Sequence, residues 1–92
     1  MTVELTSVAN ISPGLRLQFE EAQDSWVLLY PEGMVKLNQS AAEILKRCDG
    51  ERNLSEVINL LEQDFEQTGL EKDVLSFTEV ALEQKWIKLS DG

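Results

Sequence analysis

Three carboxylate pairs have spacings that acid-base chemistry can use: Glu20 with Glu21, Glu62 with Glu66, and Glu79 with Glu83. All fall at positions that the apolar pattern turns toward solvent, so hydrated helix and strand faces account for them. The chain has no histidine, which leaves its Ser, Thr and Cys side chains without the usual base to activate them. It has no GxGxxG or GxxxxGK[ST] phosphate loop and no His/Cys cluster with metal spacing. The single cysteine, Cys48, cannot form an internal disulfide and is expected in the core. These absences predict a protein that is not an enzyme and that uses no metal and no cofactor.

Binding is the remaining chemistry, and composition limits the partners. Seventeen acidic residues against eight basic ones give a net charge of −9, while nucleic-acid affinity comes from lysines and arginines that displace counterions. The longest basic run is Lys46-Arg47. An anionic surface also repels acidic lipids and favours a positively charged protein or peptide. The N-terminal residues have neither a basic nor an apolar signal region, and no apolar run approaches the roughly 20 residues that cross a bilayer. A cytoplasmic protein with no membrane contact is expected. Ninety-two residues, 42% of them hydrophobic, fit one domain with one modest core.

Periodicity organises that domain. Residues 1–13 are polar and short of pattern and read as a flexible tail, leaving 14–92 as the folded unit. Leu15, Leu17 and Phe19 alternate with polar residues as in a half-buried strand. Trp26 to Tyr30 is continuously apolar, as suits a central strand. Tyr30-Pro31-Glu32-Gly33 reads as a turn into a short third strand, Met34 to Leu37.

Beyond Leu37 the pattern is helical. One helix starts at Asn38 or Ser40 and stops at Asp49-Gly50, with Gly50 as a left-handed cap. A second starts at the capping-box sequence Asn53-Leu54-Ser55-Glu56 and carries Leu54, Val57, Ile58, Leu61 and Phe65 on one stripe running to Gly69. A third places Val74, Phe77 and Ala81 on one face and Leu75 and Leu82 on another. Trp86 to Leu89 is a small strand or an apolar clasp. The fold class is therefore α+β, a three-stranded antiparallel β-meander followed by a three-helix bundle, similar to a winged helix-turn-helix.

That arrangement admits two binding modes. In a winged-helix DNA-binding protein the third helix enters the major groove. Here that helix offers Lys72 and Lys85 against Glu71, Asp73, Glu79 and Glu83, which opposes contact with phosphates. In the alternative an extended peptide adds a strand to the open edge of the meander, whose only charge is Lys36. Ordering five residues costs roughly 5 to 10 kcal/mol, and four or five backbone hydrogen bonds return only about 0.5 to 1.5 kcal/mol each. Two or three buried apolar anchors at about 1.5 to 3 kcal/mol each are then needed. The candidate peptide site combines Gly33, Met34, Val35, Lys36 and Leu37 with a wall of Val74, Leu75, Phe77, Thr78, Ala81 and Leu82. For each wall residue taken singly, packing in the core explains the pattern equally well. A proline at Val35 blocks strand addition if the Val35 amide points outward.

The segments Arg16-Leu17-Gln18, Trp26 to Asn38 (WVLLYPEGMVKLN) and Cys48-Asp49-Gly50 resemble the PqqD family of pyrroloquinoline quinone biosynthesis chaperones. The likeness runs from Pro13 to Leu89, and the strand segment is its most specific part. It implies a RiPP recognition element that captures the precursor peptide PqqA and delivers it to the radical SAM enzyme PqqE. It further implies that the peptide lies along Gly33 to Leu37, beside the face around Val74, Phe77 and Ala81. In that family helix three is more variable than the strand segment. Open strand edges and a second apolar helix face leave both a monomer and a weak homodimer open.

Overall fold

A computed structural model describes residues 3–91 of the chain. The expected meander forms from β2 (Arg16–Glu20), β3 (Ser25–Tyr30) and β4 (Gly33–Lys36), antiparallel in the order β2-β3-β4. The register pairs Leu17 with Leu28 and Leu28 with Val35, which puts the three side chains on one face. Leu28 is fully buried there, and Leu17 and Val35 pack against the core around it. Phe19 meets Trp26 edge-on across the same strands, with ring centroids 5.5 Å apart.

The flexible tail expected over 1–13 is corrected by the structure. Ser7–Ile11 is a strand, β1, and it is the centre of a second three-stranded sheet, flanked by β5 (Asp49–Asn53) and β6 (Ile87–Asp91). Ala9 is fully buried and Val8 nearly so, and the Ser12 N–H and hydroxyl extend the link by donating to the carbonyls of Trp86 and Lys85. The strand reads Ser-Val-Ala-Asn-Ile, whose adjacent Val8 and Ala9 break the alternation of a half-buried strand, so periodicity does not register it. Met1, Thr2 and the terminal Gly92 lie outside the described residues. Of the two readings of Trp86 to Leu89, the strand is the one formed, as β6 from Ile87.

The helices are α1 (Gln39–Lys46), α2 (Leu54–Asp64) and α3 (Glu71–Glu83). Asn38 caps α1, its Oδ1 accepting the Ala41 N–H at 2.7 Å, and Asn53 with Glu56 forms the expected capping box on α2. Helix α1 ends before Asp49-Gly50, because an extended segment starts there and pairs with β1, Asp49 opposite Asn10 and Asn53 opposite Val8. Gly50, at φ +82, serves the strand and not a helix cap: a Cβ there meets Asn10 Nδ2 at 3.0 Å. Helix α1 covers the meander, α2 packs on β1 and β5, and α3 packs on β6. One apolar core runs between them, through Leu45, Leu54, Val57 and Val74.

Candidate functional site

Among the described residues strand β4 pairs with β3 on one side only, so half of its backbone groups have no partner in the sheet. Which half follows from the ladder. Leu37 N–H donates to Trp26 C=O at 2.9 Å, and hydrogen-bonded and non-bonded residue pairs alternate along an antiparallel pair. Val35 opposite Leu28 and Gly33 opposite Tyr30 are then bonded pairs, facing inward. Met34 and Lys36 present their N–H and C=O groups to the free edge. A proline at Val35 therefore breaks the meander itself and does not merely block its edge. The side chains of Met34, 47% exposed, and Lys36 lie on the face opposite Leu28 and Val35. Leu37 is buried in the core, and Gly33 is exposed at the turn.

The six residues expected on α3 separate into two groups. Val74, Thr78 and Ala81 are buried, and the Thr78 hydroxyl donates to the Val74 carbonyl at 2.7 Å, four residues back. Leu75, Phe77 and Leu82 are half-buried at the margin of the core, as Val35 is on the sheet side. Phe77 lies 6.4 Å from the Trp86 ring. Val35, Leu37 and the apolar α3 residues all belong to or pack against the same apolar core.

A feature absent from the sequence reading lies at the other end of α3. A concavity of about 320 Å³ opens between α1, the end of α2 and the start of α3, lined by Gln39, Ser40, Glu43, Ile44, Leu61, Phe65, Gln67, Leu70, Asp73 and Val74. Phe65, expected in the buried stripe of α2, is instead its C-cap and is 39% exposed. The Arg47 guanidinium lies over its ring at 5.8 Å. Arg47 is held there by Asp64 at 2.6 Å and by the Glu43 side chain at 3.0 Å and backbone carbonyl at 2.8 Å. Burial pushes Glu43 up, but hydrogen bonds from Arg47 and Lys46 outweigh it and hold the carboxyl below its usual range. Burial likewise works against the Arg47 charge, and Asp64 with Glu43 more than restores it. The sequence signal for this arrangement is slight: Phe65 continues the α2 stripe by spacing, and only the helix's early end exposes it.

Among the described residues no group of three or more His, Cys, Asp or Glu side chains is placed to hold a metal. Cys48 is buried, its thiol donating to Ile44 C=O at 3.2 Å. Desolvation, aided by the charge of Asp49, pushes the thiol up to about 12.

An open strand edge and a half-buried apolar helix margin define a small α+β domain with surface left for a binding partner. Comparison with known proteins makes the class specific. The family model for Coenzyme PQQ synthesis protein D (PqqD) matches residues 25–87. A PqqA binding protein of Pseudomonas aeruginosa is 54% identical over 92% of this chain and 94% of its own length. One from Methylococcus capsulatus is 44% identical over 96% and 95%. The solution NMR structure of the PqqD truncation of Methylobacterium extorquens PqqCD, a functional, stand-alone RiPP recognition element, superposes with a TM-score of 0.80. It is 26% identical and covers 95% of both chains. The chain belongs to the PqqD family, a family of recognition elements and not of enzymes.

Proposed function

We propose that this chain is a peptide chaperone of pyrroloquinoline quinone biosynthesis in the cytoplasm. It binds the precursor peptide PqqA as an added strand on β4 and presents it to the radical SAM enzyme PqqE. The observation that carries this reading is the outward-facing backbone of Met34 and Lys36, which offers up to two donors and two acceptors to an extended peptide. Four such bonds contribute only about 2 to 6 kcal/mol, less than the roughly 5 to 10 kcal/mol that ordering five peptide residues costs. Apolar anchors must supply the rest, and Val35, Leu75, Phe77 and Leu82 are half-buried apolar side chains with surface left to cover.

The test is titration of ¹⁵N-labelled protein with synthetic PqqA. Amide shifts are expected to concentrate on Gly33 to Leu37 and on α3. Lys36→Pro removes an outward donor while leaving the β3 ladder intact, so its spectrum should stay dispersed while affinity drops about tenfold or more. Unchanged affinity in a folded Lys36→Pro variant would remove strand addition from the proposal. Size-exclusion chromatography with PqqE, with and without PqqA, tests presentation: a complex holding all three components is expected, and separate elution of PqqE would exclude it.

A further inference from the structure

We infer that the concavity between α1, α2 and α3 is a second anchor for the bound peptide, taking a bulky apolar side chain that neighbours a lysine or arginine. The inference rests on the peptide reading above and extends its site beyond the edge strand.

Shape and position come first. The concavity adjoins the end of β4: Leu37 leaves the strand, Asn38 caps α1, and the next two residues form one wall. Its floor is apolar, made by Ile44, Leu61, Leu70 and Val74, and its volume of about 320 Å³ accommodates a large side chain. Val74, buried beneath it, also belongs to the α3 stripe expected beside the peptide.

The aromatic wall is built and held. Leaving Phe65 39% exposed forfeits apolar burial that the core could have used. Yet one face of the ring is covered by the Arg47 guanidinium at 5.8 Å, itself held by three hydrogen bonds to Glu43 and Asp64. An exposed aromatic held in one position is what a pocket for an apolar side chain requires, because little is then lost in ordering it.

Charge selects the neighbour. No lysine or arginine lines the concavity; its two charged lining residues are Glu43 and Asp73. Lys46 and Arg47 pair with Glu43, whereas Asp73 has no ion pair among the described residues and is exposed. From Glu62 to Asp73 the chain carries five carboxylates against Lys72, and the one at Asp64 is taken by Arg47. The uncompensated charge at the rim is negative, so a cation beside the apolar anchor is favoured and an acidic residue there is repelled.

Fluorescein-labelled PqqA, titrated by anisotropy, tests this with three exposed-site variants and one conservative control. Phe65→Ala removes the wall and Gln67→Trp fills the space, and each should weaken binding about tenfold. Asp73→Lys should weaken it about three- to tenfold and reduce its salt dependence, while Asp73→Glu retains both. In the wild-type ¹⁵N spectrum, Ile44, Leu61 and Leu70 should shift together with Met34 and Lys36. Binding that shifts β4 but stays within twofold in all three folded variants would overturn the second anchor and leave strand addition standing. No binding by the wild-type protein would overturn both.

Discussion

Glu43 joins two cations on α1 to the concavity, and its chemistry fixes a pH dependence. Its folded pKa lies below the ordinary value of 4.5, so the unfolded chain takes up the proton more readily. The stability it lends is complete above the unfolded value and is lost as pH falls through the folded one. Asp49 behaves alike, lowered from 3.8 by the N–H groups of Glu51 and Arg52. Urea melts should therefore show Glu43→Gln costing about 1 kcal/mol at pH 7 and less at an acid pH, as the native carboxyl takes up its proton. An equal cost at both values would make the effect one of packing. Residue-scale features were the least legible in the sequence. Asn53 and Glu56 announce their capping box by spacing alone, but which amides of β4 face outward depends on one interstrand hydrogen bond, from Leu37 to Trp26. Nothing in the residues around Val35 records that phase.

At the scale of elements, the strands and helices that bury an apolar stripe were readable, and those that do not were missed. Strands β2 to β4 alternate or run apolar, and α2 and α3 repeat at helical steps. Strand β5, Asp49-Gly50-Glu51-Arg52-Asn53, contains no apolar residue at all. It is a strand because β1 supplies its backbone partners, a long-range fact that no local window holds. The same pairing shortened α1 and reassigned Gly50. Two consequences can be measured. Removing residues 1–11 takes the central strand from the second sheet and uncovers β5 and β6, so the truncated chain should lose its dispersed amide spectrum; a folded, peptide-binding truncation would restore the view of 1–13 as a tail. Gly50→Ala forces a side chain into the left-handed region against Asn10 and should destabilise by about 1 to 2 kcal/mol in urea melts, with no change in peptide contacts. Asn10→Gly in the same background removes the clash and leaves only the backbone term, which separates the two causes.

The whole molecule is defined by its charge, and the charge reaches across it. A net charge of −9 sits on a body of 33 × 28 × 20 Å. The Debye length is about 30 Å at 0.01 M salt and only about 10 Å at 0.1 M. At low salt, carboxylates on opposite sides of the domain repel one another; at moderate salt they do not. Attraction offers little to offset this, since four ion pairs are formed among the described residues and three of them span three or four residues along the chain, a kind worth a few tenths of a kcal/mol each. The expected result is a melting temperature that rises by a few degrees between about 10 and 300 mM NaCl, because screening relieves more repulsion than attraction. Thermal melts with a sodium sulfate control separate screening from surface exclusion by comparing the salts at equal ionic strength. A melting temperature that fell with NaCl would show that the Arg47 cluster outweighs the net charge. The same field bears on recognition: α3 itself carries Glu71, Asp73, Glu79 and Glu83 against Lys72. Salt should accordingly stabilise the fold while weakening capture of a cationic peptide, two opposite slopes from one charge distribution. A duplex DNA probe should not be retained at any salt concentration, because no counterion release is available to a surface of this sign.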